Sequence, residues 1–144
     1  MKTNHKKNIG VWLDHSKAVL IDLTQEKAII KKIHSDKESQ IRFRGEHGLG
    51  TQLGNYRSTN NEHHQHNRKQ KLMHEYYHLL SECLIHYDEI LLFGPTTAKK
   101  ELYNKLKTDK HFEDKNIHIQ STDVLSENQM IAATKIFFLQ NNIN

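Results

Sequence analysis

Ile9-Gly10-Val11-Trp12-Leu13-Asp14-His15-Ser16-Lys17-Ala18-Val19-Leu20-Ile21 is the stretch that decides the fold. Two apolar runs flank Asp14-His15-Ser16-Lys17, a segment with turn chemistry and the length of a hairpin connection, so residues 9–21 read as a β-hairpin. Thr24-Gln25-Glu26 supplies a second turn. Ala28-Ile29-Ile30 with Ile33 then continues as a third, antiparallel strand, and the period-two pattern of Gln40-Ile41-Arg42-Phe43-Arg44 extends or follows it.

From Gly45 to about Lys71 the periodicity disappears among Gly, Asn, Ser, Thr, His and Gln, which predicts a long polar loop over 45–71. Leu72/Met73, Tyr76/Tyr77, Leu80 and Cys83/Leu84 recur every three to four positions, predicting an amphipathic helix that starts at Glu62 or Arg68 and ends near Ile85. Glu89-Ile90-Leu91-Leu92-Phe93 runs apolar into Gly94-Pro95, as a short buried strand does. Thr96 or Thr97 can cap a following helix that carries Ala98, Leu102 and Leu106. Ile117-His118-Ile119-Gln120 is a further strand, and Ser126-Glu127-Asn128-Gln129 has capping-box spacing ahead of a last helix through Phe138.

The order β-β-β, loop, α, β, α, β, α predicts an α/β domain with one mixed sheet, an antiparallel meander followed by β-α crossovers, as in ribonuclease-H-like folds. A chain of 144 residues with 35% hydrophobic and 26% charged residues has room for one core, expected over 9–139 behind a flexible N-terminus at 1–8. No apolar run reaches the roughly 18 residues of a membrane span, and Met1-Lys2-Thr3-Asn4-His5-Lys6-Lys7 is not followed by a signal-type apolar region, so a cytoplasmic protein with no membrane partner is expected. The single cysteine, Cys83, excludes an internal disulfide, and no Cys-x-x-Cys offers a structural zinc site.

Charge is concentrated rather than uniform. Between Gln40 and Lys71 stand Arg42, Arg44, Arg57, Arg68, Lys69 and Lys71 against Glu46 and Glu62, an excess equal to the whole chain's +4. His47, His63, His64 and His66 add positive charge beside phosphates or as pH falls. A local basic element of this kind points to an anionic partner.

The element order, the opening hairpin and the strand Ile90-Leu91-Leu92-Phe93-Gly94-Pro95 resemble the middle domain of archaeal and eukaryotic class-1 peptide-chain release factors and of pelota, together with short bacterial relatives described as translational machinery proteins. The resemblance runs from about Ile9 to Phe138. In release factors the loop before the long helix carries His-Gly-Arg-Gly-Gly-Gln, whose Gly-Gly-Gln enters the peptidyl-transferase centre and helps water attack the peptidyl-tRNA ester. Here the text is His47-Gly48-Leu49-Gly50-Thr51-Gln52. Gly50 and Gln52 match the motif, and Thr51 stands in place of its second glycine. The resemblance thus implies Gly50, Thr51 and Gln52 as the catalytic positions of a ribosome- or tRNA-associated factor acting in rescue, hibernation or tRNA-end binding. Thr51 leaves hydrolysis itself open, because a β-branched residue resists positive φ.

Read for RNA, Arg42, Arg44, Arg57, Arg68, Lys69 and Lys71 would neutralise phosphates, while His47 and Tyr56 would stack on unpaired bases. Two alternatives stay in view. In a metal-dependent nuclease of the same fold, Asp14 with Glu75 and Glu82 would hold divalent cations, but the strand ending Phe93-Gly94-Pro95 supplies no acid. A protein-interaction module would use the same polar segment to grip a partner. His63, His64, His66, His74 and His78 read as solvated histidines rather than a metal site, so no metal is expected. The glycine pattern matches neither a dinucleotide site nor a Walker-type loop, so no cofactor and no nucleotide are expected. The oligomeric state is not encoded in any of these patterns.

Overall fold

The computed structural model describes residues 6–35 and 58–143, with 58–66 and 141–143 described as backbone alone. The opening hairpin forms as expected, from β1 (Asn8–Leu13) and β2 (Lys17–Asp22). Asp14 makes the turn: its Oδ1 accepts from the amides of Ser16 at 2.8 Å and Lys17 at 2.9 Å. Its own amide donates to the Lys17 carbonyl at 3.0 Å. β3 (Ile29–His34) pairs antiparallel with β2, with Ala18 opposite Ile33 and Ile21 opposite Ile30.

After the meander come α1 (Ser58–Leu84), β4 (Glu89–Gly94), α2 (Ala98–Lys107), a 3₁₀ turn at Lys110–Phe112, β5 (Asn116–Ser121) and α3 (Glu127–Ile143). The strands form one sheet in the order β3-β2-β1-β4-β5, antiparallel across β1–β3 and parallel from β1 through β4 to β5. This is the predicted α/β, ribonuclease-H-like mixed sheet.

Both faces of the central strands are covered, which explains their unbroken apolar sequence. On one face Val11, Leu13, Leu20, Ile90 and Leu92 pack under Tyr76, Leu80 and Leu84 of α1 and Leu102 and Leu106 of α2. On the other, Trp12, Val19, Ile21, Leu91 and Phe93 pack under Met130 and Phe138 of α3. The predicted capping box opens α3: Ser126 Oγ accepts from the Gln129 amide at 3.2 Å, and Gln129 Oε1 accepts from the Ser126 amide at 2.8 Å. Two glycines let backbones meet. Gly10 sits beneath α3, where a Cβ would lie 2.4 Å from Thr134 Oγ1. Gly94, at φ +156°, ends β4 where a Cβ would lie 2.2 Å from the Leu13 carbonyl oxygen.

Three boundaries differ from expectation. The segment 45–71 is not loop throughout, because α1 begins at Ser58, earlier than either predicted start. Residues 58–71 show no apolar period because Asn67–Lys71 are exposed and meet no core, whereas burial begins where the stripe does, at Leu72 and Met73. Helix already nucleated by the packed half extends at low cost through such polar sequence. Lys7 and Asn8 do not belong to the flexible N-terminus expected at 1–8: Asn8 is in β1, and Lys7 is fixed to Asp88, donating to its carboxylate at 3.0 Å and accepting from its amide at 2.8 Å. The last helix continues past 139 to Ile143.

Candidate nucleic-acid interface

The carboxyl ends of the parallel strands β1 and β4 share one end of the sheet, together with the β1–β2 turn, the end of β3 and the start of α2. In open α/β sheets this end is where ligand-binding elements are presented. Helix α1 crosses it. Tyr76, buried beside the sheet, donates its hydroxyl to the Asp14 carbonyl at 2.9 Å, which fixes the height of α1 relative to the β1–β2 turn. Between Tyr76 and Ser58 the helix runs for about 27 Å at 1.5 Å per residue.

One carboxylate gathers the elements at this end. Glu101 of α2 accepts from Tyr77 of α1 at 2.6 Å, from Thr97 at the start of α2 at 3.2 Å, and contacts His15 Nε2 of the β1–β2 turn at 3.2 and 3.3 Å. Partial burial pushes the Glu101 carboxyl up, but the hydrogen bonds from Tyr77, His15 and Thr97 outweigh it and hold the group below its usual range. Burial, followed by the hydrogen bond to Glu101 and its charge, pushes the Tyr77 phenol up. The neighbouring Ser35, at the end of β3, donates its hydroxyl to the His15 carbonyl at 2.7 Å. Ser35, at the end of β3, and α1 thus meet the β1–β2 turn at one braced corner.

Of the predicted interface residues, Arg68, Lys69 and Lys71 are described, all exposed on α1 just beyond the first residues that pack. Lys69 stands at the next position of the stripe formed by Leu72, Met73, Tyr76 and Leu80, so the face that meets the core lower down turns cationic where the core ends. Arg68 and Lys71 lie one turn apart beside it. Arg42, Arg44, His47, Gly50, Thr51, Gln52, Tyr56 and Arg57 fall outside the described residues, as do Gly48 and Leu49.

The nuclease arrangement does not assemble among the described residues. Asp14 Oδ1 is committed to the turn amides, Glu82 pairs with His78 at 3.2 Å, and no three His, Cys, Asp or Glu side chains there are grouped to hold a metal. Sequence reasoning did not find the Glu101 hub. Glu101 lies four residues after Thr97, a helix-start spacing visible in the sequence, but its bonds to Tyr77 and His15 join positions 24 and 86 residues away.

No protein-family model matches the chain, and no curated protein matches it. Among solved structures, the crystal structure of Pelota from Archaeoglobus fulgidus matches with a TM-score of 0.52 at 13% sequence identity, covering 92% of this chain and 32% of that one. This chain thus corresponds in fold to about a third of that protein's length. The likeness extends over nearly all the elements described above, and at this identity it speaks for the fold alone. No helix among the described residues is long and apolar enough to cross a membrane.

Proposed function

We propose that the chain is a translation-related factor that binds ribosomal or transfer RNA through the basic part of α1 and the segment leading into it. The observation that carries this reading is the placement of Arg68, Lys69 and Lys71 on the exposed continuation of a helix braced against the sheet. The likeness in fold to Pelota supports it, because the sequence resembles the middle domain of pelota and of release factors. Arg42, Arg44, His47, Tyr56 and Arg57 extend the same surface in this proposal, the arginines on phosphates and the rings on unpaired bases. Gly50, Thr51 and Gln52 would lie nearest a tRNA end. With Thr51 replacing a glycine, the role proposed for them is contact rather than ester hydrolysis.

Ribosome co-sedimentation at graded salt tests the reading. The wild type is expected to pellet with ribosomes at low salt and to be released as salt rises, whereas a variant carrying R68E, K69E and K71E stays in the supernatant with its helical circular-dichroism signal intact. Equal sedimentation of the two proteins contradicts the proposal.

A further inference from the structure

β5 is one of the two edges of the sheet, and among the described residues no strand pairs with its outer side. Its register with β4 fixes which backbone groups point there. The amide of Asn116 donates to the Asp88 carbonyl at 3.1 Å and that of Thr122 to the Gly94 carbonyl at 3.0 Å, so the even-numbered residues of β5 bond to β4. Successive residues of a strand alternate, so Ile117, Ile119 and Ser121 turn both N–H and C=O outward.

Such an edge is a template for another strand unless charge, proline or a bulge blunts it. β3, the opposite edge, carries two lysines in mid-strand: Lys31, which reaches the Cys83 thiol at 3.6 Å, and Lys32, which pairs with Glu127 at 2.9 Å. β5 has none of these devices. Asn116-Ile117-His118-Ile119-Gln120-Ser121 contains no Lys, Arg, Asp, Glu or Pro, and its pairing with β4 runs unbroken along its whole length.

We propose that β5 pairs antiparallel with β5 of a second copy of this chain, about a two-fold axis at Ile119, joining the two sheets into one. The strand fits itself in this register. Ile119 meets its own copy, and Ile117 of each chain lies opposite Ser121 of the other, so all three outward residues are bonded at once. On the other face His118 stands opposite Gln120, two polar side chains. Just beyond the strand Lys115, held by the Tyr87 carbonyl at 2.6 Å, lies opposite Asp123 of the second copy, so opposite charges face one another at both ends. An axis at His118 would instead set Glu113 against Asp123 and Lys115 against Ser121, two acids together and no matched charge. This reading is independent of the RNA interface.

Light scattering of the full chain during size exclusion is expected to give twice the chain mass at micromolar concentration. A monomer throughout overturns the proposal. I119P removes an outward donor and no bond to β4, so it should weaken dimerisation on the order of tenfold, through the two symmetry-related hydrogen bonds lost, with an unchanged circular-dichroism spectrum. S121P, at the exposed end of the strand, removes the next outward donor and carries the test should I119P unfold. Cross-linking in a C83S background, which removes the single cysteine, reads the register. I119C should form an intermolecular disulfide on mild oxidation, because bonded residues opposite one another lie about 5.5 Å apart at Cα, whereas S121C should not. A dimer that the proline variants leave intact, or that I119C fails to cross-link, overturns the proposal in favour of another face.

Discussion

Tyr77 donates its hydroxyl to Glu101 across 2.6 Å, joining the middle of the long helix α1 to the first turn of α2. The same carboxylate holds His15 and Thr97, so three separate elements meet on one acid at the end of the sheet from which α1 continues outward. The direction of the basic helix is therefore set by a polar corner above an apolar core, with Tyr76 on Asp14 as its second fixed point.

Removing one spoke of that corner tests it. Y77F should destabilise the protein by about 1 kcal/mol, less than a fully buried charge-assisted bond because Glu101 is half exposed. In urea denaturation, Y77F and E101A should be non-additive, because each removes the same hydrogen bond. Strict additivity would mean that the two side chains do not act on one another.

The tyrosines set the alkaline limit. Burial pushes the phenols of Tyr76, Tyr77 and Tyr87 above their ordinary value of 10.0, assisted by Asp14 for the first, Glu101 for the second and Asp22 for the third. A raised folded-state value means that the unfolded chain loses these protons first. Their contribution is complete below pH 10 and is lost as pH rises through and beyond it. Denaturant titrations at stepped pH should show stability falling above pH 10, with a smaller fall in Y77F. The carboxylates act in the opposite sense. Burial raises Asp22 and Glu101, but the hydrogen bonds on them prevail and lower both, so their contribution stands above the ordinary carboxylate range and is lost as pH falls below it.

Two glycines should respond differently to alanine. At Gly94 the new Cβ meets the Leu13 backbone carbonyl at 2.2 Å under a positive φ, and G94A is expected to cost on the order of 3 kcal/mol with no single-residue rescue. At Gly10 the obstacle is the Thr134 side chain, at 2.4 Å, so G10A should cost about 1–3 kcal/mol and be partly restored by T134A. Thermal and urea unfolding of the double variant decide this: a sum of the two single losses would contradict the packing.

Much of this architecture was legible because each central strand is short, apolar and bounded by residues with turn or cap chemistry. Asp14, Gly94 and the Ser126–Gln129 box mark their boundaries by their own local hydrogen bonds or backbone geometry, and local bonds leave local sequence signals. The start of α1 was not legible, because residues 58–71 carry no apolar stripe and owe their helix to continuity with Leu72–Leu84. Lys69 shows the limit of periodicity. It occupies a stripe position, yet the helix there has passed the end of the core, so the pattern stops while the helix does not. The Glu101 corner and the Lys31–Cys83 pairing join residues far apart in sequence, and no spacing rule could have placed them together.

The central claim is that the exposed turn of α1 binds RNA by charge, and the salt dependence of transfer-RNA affinity tests it most directly. Each phosphate neutralised contributes just under one to the slope of log K against log salt. Replacing Arg68, Lys69 and Lys71 together by alanine should therefore weaken binding and reduce that slope by up to about three, with folding unchanged. A variant whose slope and affinity equal those of the wild type would contradict the account.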